Sequence, residues 1–150
     1  MSQKQVDLFD EFFKIAIVCY PFVRTLSAYL DVFVGKCRAK DYGIGSFDQF
    51  CQYLDGGGLY DNIHWAPQVD RLLLQPDHFD HISRFEQLSD EMAALGKRIS
   101  IDLGPNRHRH SPHATNATDR VNQHYSRENE EIIARLMAKD FAAFDYETSL

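Results

Sequence analysis

Apolar positions change period several times along the chain, and each change predicts an element. Phe12, Phe13, Ile15, Ala16, Ile17 and Val18 form a near-continuous apolar run broken only by Lys14. A run this short, rich in β-branched side chains, predicts a parallel strand buried on both faces, because a strand covered on one face alternates. Pro21 ends it. Val23, Leu26, Leu30, Phe33 and Val34 then recur at helical spacing, with Gly35 beyond the end, so the segment predicts strand, turn, helix. Such a turn is where α/β proteins usually hold ligands.

Ser46 precedes Phe47, Phe50, Cys51 and Leu54, spaced as one face of a short helix that Ser46 caps and Gly56 to Gly58 terminate. After a loop around His64 and Trp65, the stretch from Phe79 to Phe85 alternates and predicts a short strand. Ser89 is the expected cap of a following helix. Asp90 and Glu91 suit its first turn electrostatically, and Met92, Leu95 and Ile99 give it an apolar stripe. From Asp102 to Tyr125 the chain holds Gly104, Pro105, Pro112 and hardly any large apolar residue, which predicts a long loop. Ser126, with Glu128, Glu130 and Glu131, opens one final amphipathic helix carrying Ile132, Ile133, Leu136, Met137 and Phe141, ending near Phe144.

Composition narrows the class. With 150 residues, 44% hydrophobic and 25% charged, the chain has the make-up of one folded domain spanning 1–150. Cys19, Cys37 and Cys51 are odd in number and lack metal-ligand spacing, which fits a reducing, cytoplasmic setting. The N-terminal residues do not have the pattern of a signal peptide, and no window has the roughly 20 apolar residues a membrane span needs. A net charge of −6 argues against nucleic acid as a partner. That figure conceals a gradient, because residues 97–127 carry +4 and the rest −10. Four of the seven histidines, His108, His110, His113 and His124, share this basic stretch, which fits either a compact anion or a solvated loop.

Two constellations carry possible chemistry. Arg24 and Ser27 are three apart and so neighbours on one helical face just after the first strand, where a guanidinium, a hydroxyl and helix N-terminal amides suit a phosphate. An ion-paired surface arginine and a small packing serine fit the same spacing. His108, His110 and His113 form His-x-His-x-x-His, a set able to hold zinc or nickel. Interleaved Arg107 and Arg109 repel a divalent cation, so no metal is expected.

The string itself then carries a resemblance. FFKIAIVCYPFVRTLSAYLDVF resembles the 3′-phosphate-binding segment of the PAPS-dependent sulfotransferases, matched in register by Pro21, Arg24, Ser27, Ala28 and Tyr29. NIHWAPQ, residues 62–68, is similar to the His-Trp-x-Pro-Gln element of the carbohydrate sulfotransferase branch. FDHISRFEQLSDEM matches that branch through Asp80, Ile82, Arg84, Phe85, Glu86, Leu88 and Asp90, and the closing segment resembles its Asp-Phe-x-x-Phe-x-Tyr ending. Four ordered elements between residues 12 and 146 make the resemblance specific.

The resemblance implies an α/β fold with a P-loop-like, Rossmann-like sulfotransferase core and a helix-rich C-terminal part. It implies transfer of a sulfuryl group from 3′-phosphoadenylyl sulfate to a hydroxyl, commonly of a saccharide, leaving 3′-phosphoadenosine 5′-phosphate. Ser27 would hold the 3′-phosphate, and Arg24 would support the helix and loop. Arg107, Arg109, His113 and Thr115 become candidates for covering the nucleotide, and His64 for the catalytic base.

Two departures accompany the matches. Cys19 stands where the family has the leading arginine of the motif. Losing a charge-assisted phosphate contact of about 2 to 3 kcal/mol lowers affinity about 30- to 150-fold. The eleven residues before Phe12 hold no glycine and no lysine-threonine pattern, so the expected core is incomplete, lacking the family's first strand and 5′-phosphosulfate loop. Such a chain is expected to be a truncated family member of reduced competence, or a noncatalytic binder of a sulfated or phosphorylated ligand.

Overall fold

Among the described residues, two short strands and a set of helices account for the regular structure. The structure is a computed structural model and describes residues 11–103 and 115–150. Strand β1 (Ile15–Val18) pairs in parallel with β2 (His81–Arg84), with Ile15 opposite His81 and Val18 opposite Arg84. Asp80 sets this register: its carboxylate accepts the Lys14 amide at 2.7 Å while its own amide donates to the Lys14 carbonyl at 2.9 Å.

Helix α1 (Pro21–Tyr29) follows β1 after two residues, with Pro21 in the first turn, where a missing N–H costs nothing. It runs into a π-helical turn, Leu30–Gly35, so the single expected helix changes winding at its end. Helix α2 (Ala39–Tyr42) is one turn. Helix α3 (Phe47–Asp55) begins at Ser46, whose hydroxyl accepts the Gln49 amide at 3.2 Å, as the spacing predicts. The glycines after it are needed for two reasons. Gly57 has φ +112°, and a Cβ on Gly58 would lie 2.4 Å from the Tyr53 ring.

Helix α4 (Leu88–Ile99) starts earlier than expected. A 3₁₀ turn, Phe85–Gln87, feeds into it directly, so Ser89 lies inside the helix and does not cap it. The expected long loop is partly wrong as well, because Ala117–His124 forms helix α5. Its composition is polar, but Ala117 and Val121 are four apart and both bury against α1, and this packing outweighs weak propensity. The final helix is two: α6 (Arg127–Leu136), capped by the Ser126 hydroxyl at 3.2 Å, and α7 (Ala138–Phe144), separated at Met137.

The core lies among α1, the π-helical turn, α3, α5, α6 and α7. Tyr29, Phe33, Phe50 and Trp65 form its aromatic centre, with Phe50 ring centroids 5.1 Å from Phe33 and 5.4 Å from Trp65. Trp65 is fully buried, and its indole N–H donates to the Gly58 carbonyl at 2.9 Å, which avoids an orphaned polar group.

The sheet is less covered than a buried parallel strand predicts. Ala16 and Val18 are buried, but Ile15 is 39% and Ile17 50% exposed. Residues in register share a face, so Ile15 and Ile17 lie beside His81 and Ser83. Helix α4 covers β2 on that side, with Glu91 3.2 Å from His81, while among the described residues Ile15 and Ile17 of β1 keep exposed surface. Among the described residues no helix is long and apolar enough to cross a membrane.

Candidate functional site

The chain leaves β1 through Cys19 and Tyr20, and three distant segments hold this turn. The Gln68 side chain behaves as a length of strand, its Oε1 accepting the Cys19 amide and its Nε2 donating to the Cys19 carbonyl, both at 2.8 Å. Gln68 is in turn fixed by Asp140 of α7, a fully buried carboxylate that accepts the Gln68 and Val69 amides at 2.7 and 2.8 Å. Glu86 accepts the Tyr20 amide at 2.6 Å, the Cys19 thiol at 3.1 Å and, on its second oxygen, the Tyr146 hydroxyl at 3.0 Å. Arg84 donates to the carbonyls of Phe144 and Asp145 and lies 4.7 Å from the Tyr146 ring centre. The four sequence elements singled out above therefore meet at one turn.

Beyond the turn, α1 presents Arg24, Ser27 and Ala28 along one face, and the π-helical turn that continues it adds Asp31, four residues beyond Ser27. That face lines a cavity of about 670 Å³ together with Cys19, Lys36, His64, Gln68, Phe85 and Thr115. Ser27 Oγ and Thr115 Oγ1 are 2.9 Å apart and share a hydrogen bond across 88 residues of sequence. The Arg24 guanidinium donates to the carbonyls of Ala66 and Ile63 at 2.8 and 3.0 Å, tying α1 to the loop that carries His64. His64 is exposed at the cavity wall. Lys36 pairs with Asp31 at 2.5 Å.

Electrostatics separate these groups. Burial, followed by the adjacent Glu86 carboxylate, pushes the Cys19 thiol well above its ordinary range, so it stays a neutral S–H. Position 19 thus offers neither a cation nor a thiolate. Tyr146 is likewise raised, by burial and then by Glu86, so its hydroxyl remains a donor to that carboxylate.

Cys19, Arg24, Ser27, His64 and Thr115 come together around one cavity. Arg107, Arg109 and His113 lie outside the described residues, as do His108 and His110 of the histidine triplet. Among the described residues no group of three or more His, Cys, Asp or Glu side chains is gathered as metal ligands would be. Sequence reasoning missed Asp31 and Lys36. Asp31 is four residues beyond Ser27 and was readable from helical spacing, whereas Lys36 reaches the cavity only because the helix changes winding.

No curated protein and no solved structure matches the chain significantly. The family model for the sulfotransferase family matches residues 1–147, nearly the whole chain. With that match spanning β1, the turn, the cavity and the locking segments, the chain belongs to the sulfotransferase family.

Proposed function

We propose that the cavity beside α1 binds the 3′-phosphate of 3′-phosphoadenylyl sulfate, and that the chain moves its sulfuryl group to a hydroxyl of a saccharide acceptor. Membership of the family supports sulfuryl transfer. The observation that carries the finer reading is the pairing of the Ser27 and Thr115 hydroxyls at the cavity wall, on the helix face that follows the first strand. Two hydroxyls 2.9 Å apart can turn their protons outward together and donate to adjacent oxygens of one phosphate. Arg24 serves as a positioning residue, since its guanidinium already spans two carbonyls.

In this reaction the acceptor oxygen attacks sulfur and the bond from sulfur to the bridging phosphate oxygen breaks. The acceptor proton passes to a base, and 3′-phosphoadenosine 5′-phosphate leaves with the bond electrons. His64, exposed on the cavity wall, is the candidate base among the residues lining the cavity. Positioning and stabilisation of the leaving charge carry most of such a reaction. The carbohydrate branch is supported by the elements at 62–68 and 80–90, which here lock the binding turn.

Calorimetry with 3′-phosphoadenosine 5′-phosphate tests the site. Ser27→Ala should weaken binding about tenfold, and Cys19→Arg should strengthen it. The gain from Cys19→Arg should stay below the 30- to 150-fold full loss because Glu86, 3.1 Å from the thiol, competes for the new guanidinium. Equal affinity in wild type and Ser27→Ala would sink the assignment. A second reading, binding without turnover, is favoured by the neutral thiol at position 19. Transfer of labelled sulfate to any saccharide acceptor dismisses it.

A further inference from the structure

Resting on that reading, we propose that Lys36 is the fixed cation that meets a ligand phosphate in this cavity, supplying charge that Cys19 does not, and that Asp31 competes with the phosphate for it. Two fixed cations line the cavity among the described residues, Arg24 and Lys36. Arg24 is committed to two backbone carbonyls. Lys36 is held by one carboxylate, with 55% of its side chain exposed.

The winding of the helix end makes this arrangement. Residues five apart sit about 140° from each other around an α-helix, on different sides. In the π-helical turn the Lys36 amide donates to the Asp31 carbonyl at 2.9 Å, five residues back, and the two side chains come onto the same side. Asp31 is also four residues beyond Ser27, so the hydroxyl, the carboxylate and the ammonium follow one another along the cavity wall. π-helical turns recur at functional sites because the extra residue re-aims side chains that an α-helix would turn away.

The exchange is simple. An arriving phosphate accepts from Ser27 and draws the Lys36 ammonium away from Asp31, replacing one charge pair by another. Asp31 contributes opposition twice, by pairing with Lys36 and by placing a negative charge on the wall the phosphate approaches. Neutralising it should therefore strengthen binding, an effect that loss of a merely structural ion pair does not produce.

The test is calorimetric titration of the full chain with 3′-phosphoadenosine 5′-phosphate at several salt concentrations. Lys36→Ala should lower affinity about tenfold and flatten the salt dependence, Lys36→Arg should stay within about threefold of wild type, and Asp31→Asn should bind severalfold tighter. Circular dichroism checks that each variant is folded, and Lys36→Gln, which keeps the stem, repeats the measurement should the alanine variant fail to fold. Unchanged affinity and salt dependence in both Lys36→Ala and Lys36→Gln, in a chain that still loses affinity with Ser27→Ala, overturns the role of Lys36 and leaves the site standing. A wild-type chain that binds no nucleotide even at low salt overturns both.

Discussion

Phe50 and Ile17 are both large apolar side chains in the middle of regular elements, yet Phe50 is fully buried and Ile17 is half exposed. Around Phe50, α1, the π-helical turn and the Trp65 loop each contribute an aromatic ring, so its burial is enforced from several directions. Around Ile17 there is a two-stranded sheet that, among the described residues, α4 covers over β2 and not over β1. The helical half is held by packing. The sheet is held by hydrogen bonds at its two ends, from Asp80 at the start of β1 and from Gln68 and Glu86 just past its end.

Substitutions should expose that contrast. Phe50→Ala removes the most and should cost about 3 to 5 kcal/mol in urea unfolding. A loss under 1 kcal/mol would show that the aromatic centre is not where stability lies. Asp140→Leu comes next, at about 2 to 3 kcal/mol, because the buried Gln68 amide and the half-buried Val69 amide lose their acceptor. It should also weaken nucleotide binding, although Asp140 does not line the cavity, and unchanged binding would break the link from α7 to the turn.

Asp80 gives the sheet a pH dependence. The Lys14 amide, and then the Lys14 charge, hold its carboxyl below its ordinary value near 3.8. A group depressed in the folded state contributes stability above its unfolded value, and that contribution disappears as pH falls through the folded value. Below about pH 4 the sheet should therefore loosen while the aromatic centre keeps its near-ultraviolet circular dichroism. Asp80→Asn should remove this acid loosening, read as faster amide hydrogen exchange in β1, and its persistence in that variant would discount Asp80. The smallest effect is expected at Ile17→Ser, within about 0.5 kcal/mol because the side chain is already half in water. A larger loss would mean that the open face of β1 is covered in solution.

The same contrast governs what was legible in the sequence. Strand, turn and helix from residue 15 onward, the Ser46 cap, the second strand and the Ser126 cap all follow from local pattern, since each is fixed by neighbours within a few residues. Exposure of Ile15 and Ile17 was not readable, because it depends on where α4 lies across the sheet. The helix at Ala117–His124 was hidden by its polar composition and exists through its contact with α1. Of the site, the Arg24–Ser27 face was plain from spacing, and Thr115 arrived only by resemblance. The approach of Lys36 to Asp31 needed a π-helical turn that no periodicity announces.

The lock on the binding turn also has a consequence for the order in which the molecule is assembled. Cys19 and Tyr20 are synthesised before the groups that satisfy their amides, Gln68 and Glu86, which are themselves braced by the still later Asp140 and Tyr146. The Tyr20 hydroxyl reaches further still, donating to the Ser149 carbonyl at 2.6 Å. Contacts of such long sequence separation form late, because loop closure must precede them. A nascent chain that has emerged only as far as α6 holds Ser27, Arg24 and His64 but not the brace that orders the turn beside them, so ligand recognition should be among the last properties the folding molecule acquires.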